Sequence, residues 1–266
     1  MAIYLHGLYV LAAAAMITWL LSLERRNVAI VDSLWSLMFA LAAWTYAASA
    51  ASVSAGAALG PGVPLGPRAL LVLTLVSVWA LRLCIYITWR NWGHGEDRRY
   101  QAIRARNQPN FALKSLYLVF ALQALLAWII SLPLLAAIVN PSPLGALDFA
   151  GAGLWLLGIG FEAGGDWQLA RFKAKAGNRD QVMDQGFWRY TRHPNYFGDF
   201  CVWWGFYVIA AAAGAWWSIV GPVLMTTILM RVSGVTLLEK DIGERRPKYA
   251  DYIRRTNAFF PGTRRR

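Results

Sequence analysis

Charged side chains are scarce in this sequence. Only 15% of its 266 residues are Asp, Glu, Lys or Arg, whereas a soluble globular domain carries about a quarter. Hydrophobic residues make up 58% of the chain, and 14 residues are tryptophan. This balance excludes an ordinary soluble fold and predicts a membrane protein.

The sequence also has few cysteines and histidines. Cys84 and Cys201 both lie in apolar segments, and we interpret them as buried thiols instead of a disulfide or a metal pair. His6, His94 and His193 lie far apart and lack the spacing of metal ligands. A glycine-rich phosphate loop after a strand and a nucleophile with a partner histidine are missing too. Any chemistry is therefore expected to depend on a diffusible cofactor.

Apolar runs long enough to cross a bilayer as a helix, about 20 residues, recur along the chain. We predict an all-α integral membrane protein with one domain over residues 1–266 and a cytoplasmic tail at 239–266. Seven transmembrane helices are predicted, at about 3–23, 28–51, 68–89, 112–139, 147–170, 197–213 and 215–238. The sixth run is short, and only "AGAWW" separates it from the seventh, so a helical hairpin is an alternative for these two. The first run is followed, not preceded, by Arg25 and Arg26, which predicts a retained helix instead of a cleaved signal peptide.

Lysine and arginine are unevenly distributed between the connections, and the net charge is +12. They cluster at 24–27, 90–114, 171–192 and after 239, whereas 52–67 and 140–146 have none. With seven helices, the basic connections share one side, which predicts the N-terminus outside and the C-terminus in the cytoplasm. We interpret most of these cations as contacts to anionic membrane lipids, not as a nucleic-acid surface.

Ionisable residues nevertheless occur inside the apolar runs, where they are costly to bury and indicate function. Most of them fall towards the basic side, so we expect them to line a polar cavity there. They are Asp32, Arg82, Glu162, Asp166, Asp199, Arg231 and Glu239. The alternative is that Asp32 with Arg82, or Glu162 with Arg231, forms an ion pair that holds the bundle together.

The fifth apolar run carries the most informative spacing. Glu162 and Asp166 are four residues apart and share one helical face, and Arg171 and Lys173 follow as the helix ends. Acids beside cations suit a ligand with hydroxyls and phosphates, such as a dinucleotide. Arg90 and Asn91 at the end of the third run add a second polar pair. The glycines of "GLWLLGIGFEAGG" are interpreted as sites of close helix packing.

The stretch "RYTRHPNYFGD" crowds polar side chains at the start of the sixth run. We interpret it as a turn that presents cations and hydrogen-bond donors to phosphates or an adenosine, with an acid that reaches a ribose or a nicotinamide amide. The residues concerned are Tyr190, Arg192, His193, Asn195, Tyr196 and Asp199. The alternative is a solvated loop at the membrane border.

These motifs resemble a known family. "GFWRYTRHPNYFGD", "WWGFY" and "LLEKDIGERRPKYADYIRRTNAFFP" are similar to the C-terminal half of the steroid 5α-reductase superfamily, and most closely to its bacterial DUF1295-type branch. "RHPNY" also resembles the isoprenylcysteine and phospholipid methyltransferases, which use S-adenosylmethionine. "EAGGDWQLARFK" ahead of it favours the reductases.

The resemblance implies seven helices in the bacterial inner membrane, NADPH in the cytoplasmic half, and a lipid-like substrate that enters from the membrane. By position, it assigns a cofactor role to Glu162, Asp166, Lys173, Asn195, Tyr196, Asp199 and Arg231. Asp32 stands where the family has a glutamate near the substrate carbonyl. The chain departs from the steroid enzymes at Val31 and Trp79, which replace a glutamine and the catalytic tyrosine, and in "RVSGVTL", which replaces a run of histidines.

The expected reaction is NADPH-dependent reduction of a C=C bond conjugated to a ketone. Asp32, kept protonated by its apolar surroundings, is the predicted donor to the ketone oxygen. The Trp79 indole is a second candidate donor and Tyr86 a third. The alternatives are a methyltransferase of the isoprenylcysteine or phospholipid type and a non-catalytic lipid-binding or transport protein. No obligate protein partner is expected.

Overall fold

The computed structural model describes residues 1–58, 65–178, 180–232 and 247–265, and all regular structure in these ranges is helical. The helices are α1 (Ala2–Arg25), α2 (Val31–Ala58), α3 (Pro67–Asn91), α4 (Arg98–Arg106), α5 (Phe111–Ser115), α6 (Leu122–Ile130), α7 (Leu132–Ile138), α8 (Ala146–Lys173), α9 (Pro194–Ala212), α10 (Val220–Thr227) and α11 (Pro247–Arg255). The all-α prediction is confirmed for this part of the chain.

Five helices of the described ranges are long and apolar enough to cross a membrane. They are Ala2–Arg25, Val28–Ser52, Pro67–Asn91, Phe111–Ile130 and Ala146–Lys173. Large apolar side chains on them face outwards, such as Ile85 and Phe149, each 66% exposed. Apolar surface of this extent requires a covering, and lipid supplies it in a membrane protein.

The prediction of seven spans is wrong for the described residues, where five helices qualify. The predicted sixth span is α9, which has 19 residues but opens with the polar Asn195 and Asp199. The predicted seventh contains the eight-residue α10, which continues directly into a π-helical turn at Ile228–Val232. Its last part, 233–238, lies outside the described residues. The sidedness of the helices stays a prediction.

The fourth predicted span is interrupted. A π-helical turn, Leu116–Ala121, joins α5 to α6, and the helix breaks at Ser131 because Pro133 in the first turn of α7 has no N–H to donate. The Ser131 hydroxyl donates to the Trp128 carbonyl (2.7 Å) and lies 2.7 Å from the Tyr46 hydroxyl. The break is therefore tied into the helix bundle by polar contacts.

The chain divides into two compact units. Unit 1 comprises Met1–Leu144 and Ala213–Ser218, and unit 2 comprises Gly145–Ala212 and Ile219–Arg266. In unit 1, α2 packs against α1 and α3, and hydrogen bonds link Thr88 to Ser33 (3.0 Å) and Ser36 to the Ala80 carbonyl (2.9 Å). These contacts fix the depth at which α2 faces α3.

A buried arginine ties the start of α3 to the connection after α7. Arg68 is 1% exposed. Its guanidinium donates to Asn140 Oδ1 (3.0 Å), Ser142 Oγ (2.6 Å) and the Pro143 carbonyl (3.0 Å). A buried cation is tolerated when its donors are satisfied in this way, so Arg68 is a structural residue of unit 1.

Unit 2 is built on a close contact between α8 and α9, which we call the glycine seam: Gly151, Gly158, Gly198 and Gly205. A Cβ on Gly158 would lie 2.6 Å from the Gly198 carbonyl oxygen, and one on Gly151 would lie 2.7 Å from that of Gly205. The two backbones therefore touch, which only glycine permits. The interpretation of the glycines in "GLWLLGIGFEAGG" as packing sites is confirmed for Gly158, whereas a Cβ on Gly153 or Gly160 would meet nothing within 4 Å.

Candidate functional site

The candidate residues fall into two sets, one in each unit. Unit 1 holds Asp32, Trp79, Tyr86, Arg90 and Asn91, and unit 2 holds Glu162, Asp166, Lys173, Tyr190, Arg192, His193, Asn195, Tyr196, Asp199 and Arg231. Glu239 lies outside the described residues. Within the described ranges, no group of three or more His, Cys, Asp and Glu is arranged to hold a metal ion.

In unit 1, polar side chains from three helices meet at Asp32; we call Asp32, Arg99, Tyr100 and Gln123 the Asp32 cluster. Arg99 donates to Asp32 Oδ2 (2.8 Å), and the Tyr100 hydroxyl donates to Asp32 Oδ1 (2.5 Å). Gln123 Nε2 donates to the Tyr100 oxygen (3.3 Å). Short helix α4 thus lies against the first turn of α2.

The partners of Asp32 differ from those expected. The sequence suggested Arg82 as an ion-pair partner, whereas the structure shows an ion pair with Arg99. Arg99 lies in the basic connection 90–114, which the sequence predicts to contact membrane lipids. Two hydrogen-bond donors on one carboxylate stabilise its ionised form. Burial of the Asp32 side chain, which is 15% exposed, opposes this effect, and the donor role of Asp32 stays a prediction.

Tyr100 is the phenol of this cluster, and its side chain is buried. Burial raises the pKa of Tyr100, and the negative charge of Asp32 raises it further. The hydroxyl therefore keeps its proton throughout the physiological pH range. A buried phenol that remains protonated is a suitable neutral hydrogen-bond donor.

Glu96, just before α4, fixes this helix to the start of the second span. Its carboxylate accepts from Arg104 Nε (2.8 Å) and Nη2 (2.7 Å) and from the Val28 N–H (2.9 Å). Burial tends to raise the pKa of Glu96, but the hydrogen bonds from Arg104 and Val28 outweigh it, so the pKa is lowered. The ionised form of Glu96 is the one that stabilises the fold.

Replacing Glu96 with glutamine is expected to destabilise the protein at neutral pH by about 1–3 kcal/mol, because charge-assisted hydrogen bonds are lost. A lowered folded-state pKa gives stability that is present above the unfolded value, about 4.3, and lost as pH falls through the folded value. The difference in apparent melting temperature between parent and Glu96→Gln should therefore shrink below about pH 4. A constant difference from pH 7 to pH 3 contradicts this role.

The other unit 1 candidates lie along α3. Trp79 is fully buried, with its ring edge against Phe39 (5.7 Å between centroids). Phe39 comes seven residues after Asp32 on α2, which is about 10 Å along the helix axis. The Trp79 indole therefore lies at a different level of unit 1 from the Asp32 carboxylate.

Tyr86, Arg90 and Asn91 form a small group near the end of α3. The Arg90 guanidinium lies 5.8 Å from the centre of the Tyr86 ring, and its Nε donates to Asn91 Oδ1 (3.2 Å). Arg90 is exposed. The predicted polar pair of Arg90 and Asn91 is thus a direct contact.

In unit 2, buried acids lie on both sides of the contact between α8 and α9; we call Glu162, Asp166, Asn195 and Asp199 the α8–α9 cluster. The three carboxylates are each at most 8% exposed. Asn195 Nδ2 donates to Asp166 Oδ1 (3.2 Å). Gly198 brings α9 against the Glu162 backbone, where a Cβ on it would lie 2.4 Å from the Glu162 nitrogen. The seam therefore places the acids of α8 beside the turn before α9.

That turn has an ordered aromatic pair. The rings of His193 and Tyr196 are nearly parallel, 6° apart, with centroids at 5.5 Å. The His193 N–H donates to Thr191 Oγ1 (3.2 Å), and the Tyr196 N–H donates to Asn195 Oδ1 (3.1 Å). Asn195 thus donates its side-chain N–H to Asp166, and its side-chain oxygen stabilises the first turn of α9.

The contacts of Arg192 differ from the phosphate contact that the sequence predicted for it. Its side chain is buried, and its guanidinium donates to the carbonyls of Ile253 (3.0 Å) and Thr256. These carbonyls belong to the end of α11. Exposed cations of this region include Arg171 and Lys173 on α8, Lys175 just after it and Arg189 before the turn. Tyr190 and Arg231 are also exposed.

Arg99, Tyr100 and Gln123 are the polar residues that the sequence reasoning missed. One signal for α4 was available: Asp97 is an N-cap, and its Oδ1 accepts from the Arg99 N–H (2.9 Å). An acid ahead of "RRYQAIRAR" indicates a short helix. The contact of this helix with Asp32 spans 67 residues of sequence, which spacing alone does not reveal.

The comparison with known families gives one result. A family model described as a protein of unknown function, DUF1295, matches residues 18–256. Searches of curated proteins and of solved structures found no match. The match extends over both units and includes every candidate residue from Asp32 to Glu239. The chain therefore belongs to the DUF1295 family.

Proposed function

We propose that this protein is an NADPH-dependent membrane reductase that reduces a C=C bond conjugated to a ketone in a steroid-like or other lipid substrate. The observation that carries the proposal is the contact between Asn195 and Asp166 (3.2 Å). It joins the two motifs that the sequence assigns to the same cofactor, the acidic face of α8 and the turn before α9.

On the cofactor side, the α8–α9 cluster offers carboxylates and an amide in a buried position. Carboxylates accept hydrogen bonds from ribose hydroxyls and from a nicotinamide amide. The cations suited to phosphates are the exposed Arg171, Lys173 and Arg189, since Arg192 binds carbonyls of the C-terminal segment. When bound, NADPH supplies a hydride to the β-carbon of the substrate.

On the substrate side, Tyr100 is the proposed donor to the ketone oxygen. Negative charge develops on that oxygen during reduction, and a hydrogen bond aimed at it is typically the largest catalytic contribution. In the structure the single proton of the Tyr100 hydroxyl is donated to Asp32, so the hydroxyl turns from Asp32 to the ketone oxygen when the substrate binds, while Arg99 stays paired with Asp32. A proton from water then completes the reduction at the α-carbon, which gives the saturated ketone.

The proposal includes the predicted sidedness of the membrane helices. The basic connections face the cytoplasm of a bacterial cell, where NADPH is available, and the N-terminus faces outwards. The substrate enters from the lipid between the exposed apolar helices. Anionic lipids contact the arginine-rich connections.

One observation favours a second candidate, a methyltransferase that uses S-adenosylmethionine. The buried carboxylates of the α8–α9 cluster suit a cationic sulfonium, and Arg192 is directed towards α11. The acceptor would be a prenylated or phospholipid substrate. The two candidates differ in the cofactor that binds.

Cofactor binding by the detergent-purified protein separates them. NADPH at a hundred times its dissociation constant is expected to stabilise the protein by about 2.7 kcal/mol, measured as a rise in apparent melting temperature. The rise should be lost in Asp166→Ala and in Asn195→Ala, and retained in Asp180→Ala, which removes an exposed carboxylate of the same unit. Stabilisation by S-adenosylmethionine alone would overturn the reductase proposal.

A further inference from the structure

The turn before α9 is attached to the C-terminal segment, which we define as residues 247–265. The Thr191 hydroxyl donates to the Phe259 carbonyl (2.8 Å), and the Arg192 N–H donates to the Asn257 carbonyl (2.9 Å). In the other direction, the Gly262 N–H donates to the Tyr190 carbonyl (3.0 Å). Three consecutive residues of the turn are therefore fixed by backbone groups of this segment.

Arg192 also caps α11. The last carbonyls of a helix have no partner within it, and a basic side chain commonly satisfies them. The Arg192 guanidinium does so at Ile253 (3.0 Å) and Thr256. In return, the buried Tyr252 of α11 donates its hydroxyl to the Trp188 carbonyl. Each segment thus satisfies polar groups of the other.

An aromatic contact and an ion pair complete this attachment. The rings of Phe259 and Phe260 lie 5.7 and 5.6 Å from that of Phe200 in α9. Arg264 forms a half-buried ion pair with Asp184, ahead of the turn. The C-terminal segment therefore contacts the chain on both sides of the turn.

We propose that the C-terminal segment sets the geometry of the cofactor turn, with Thr191 and Arg192 as positioning residues that act through it. The inference rests on the proposed function, and it gives Arg192 a role other than phosphate binding. Asn195 follows Arg192 by three residues, and its contact with Asp166 depends on where the turn is held. Loosening the segment is therefore expected to weaken cofactor binding although no cofactor contact is removed.

The ion pair between Arg264 and Asp184 allows a test that spares the buried residues. Arg264→Asp and Asp184→Arg each place like charges together and are expected to weaken NADPH binding about tenfold, within the usual range of coupling between sites. The double variant Arg264→Asp/Asp184→Arg restores opposite charges and should recover the parent affinity. Arg254→Ala is the matched control, because Arg254 pairs with Asp251 on the same exposed helix turn. NADPH affinity is measured by calorimetry on the full chain.

Hydrogen exchange at residues 190–196 supplies a second measurement that needs no ligand. Both single variants should exchange faster there than the parent, and the double variant should not. Faster exchange with unchanged NADPH affinity would overturn the positioning role, and unchanged exchange in both single variants would overturn the attachment itself. If the parent fails to bind NADPH, the reductase proposal fails, while the exchange measurement still decides whether the segment holds the turn.

Discussion

Gly158→Ala is expected to lower the apparent melting temperature by about 5–10 °C. The added methyl group would lie 2.6 Å from the Gly198 carbonyl oxygen and 2.7 Å from the Val202 nitrogen, both backbone atoms. Overpacking costs about 1–3 kcal/mol, and more where the neighbours cannot move, and each kcal/mol corresponds to about 2–4 °C in a chain of this size. The measurement is thermal unfolding in detergent at one scan rate.

Gly160→Ala is the control for this prediction, because it lies on the same helix and a Cβ there meets nothing within 4 Å. Alanine is the better helix former by up to about 1 kcal/mol, so this variant should match or slightly exceed the parent. Equal melting temperatures for the two variants would show that α8 and α9 are not in backbone contact at Gly158.

Tyr100→Phe is expected to lower kcat for NADPH-dependent reduction of a 3-oxo-Δ4 steroid by about 10²–10³-fold, the usual effect of removing one donor to a developing oxyanion. NADPH affinity should stay at the parent value, since the candidate cofactor residues of unit 2 are untouched. Because the pKa of Tyr100 is raised, the parent should show no loss of activity from this group up to about pH 10.

Tyr117→Phe serves as the control, since Tyr117 is 59% exposed and takes no part in the Asp32 cluster. Single-turnover rates with NADPH already bound separate chemistry from binding. A Tyr100→Phe enzyme with the parent rate would remove Tyr100 from the mechanism. If the double variant Asp32→Asn/Tyr100→Phe loses no more rate than either single variant, the two residues act as one unit.

The sequence predicted the long helices well because composition alone determines them. The predicted run 68–89 is α3, Pro67–Asn91, and 147–170 is α8, Ala146–Lys173. The end of the fourth run failed where a local feature overrides composition, since Pro133 stops the hydrogen-bond ladder. The sixth run does not qualify because Asn195 and Asp199 dilute its apolar character, and the seventh run is described only as far as Val232.

Site residues were harder to predict because a sequence gives the type of a side chain but not its direction. Glu162 and Asp166 were placed correctly on one face by their spacing of four, a property of the helix itself. Arg192 looked like a phosphate ligand, whereas its guanidinium caps a helix about 60 residues further along the chain. Arg99 and Tyr100 were missed for the same reason, since long-range packing decides what they contact.

The spacing of the glycine seam has a consequence for the alignment of its two helices. Gly151 and Gly158 are seven residues apart, as are Gly198 and Gly205, and a third glycine, Gly165, continues the first row. If α8 moved by seven residues, about 10 Å, Gly158 would lie opposite Gly205 and Gly165 opposite Gly198. Close contact between the glycines alone therefore permits two registers. The hydrogen bond from Asn195 to Asp166 forms in only one of them. This polar pair therefore selects one of the two registers. Variants at either position should be tested by cross-linking across the seam for a population in which α8 has shifted by two turns.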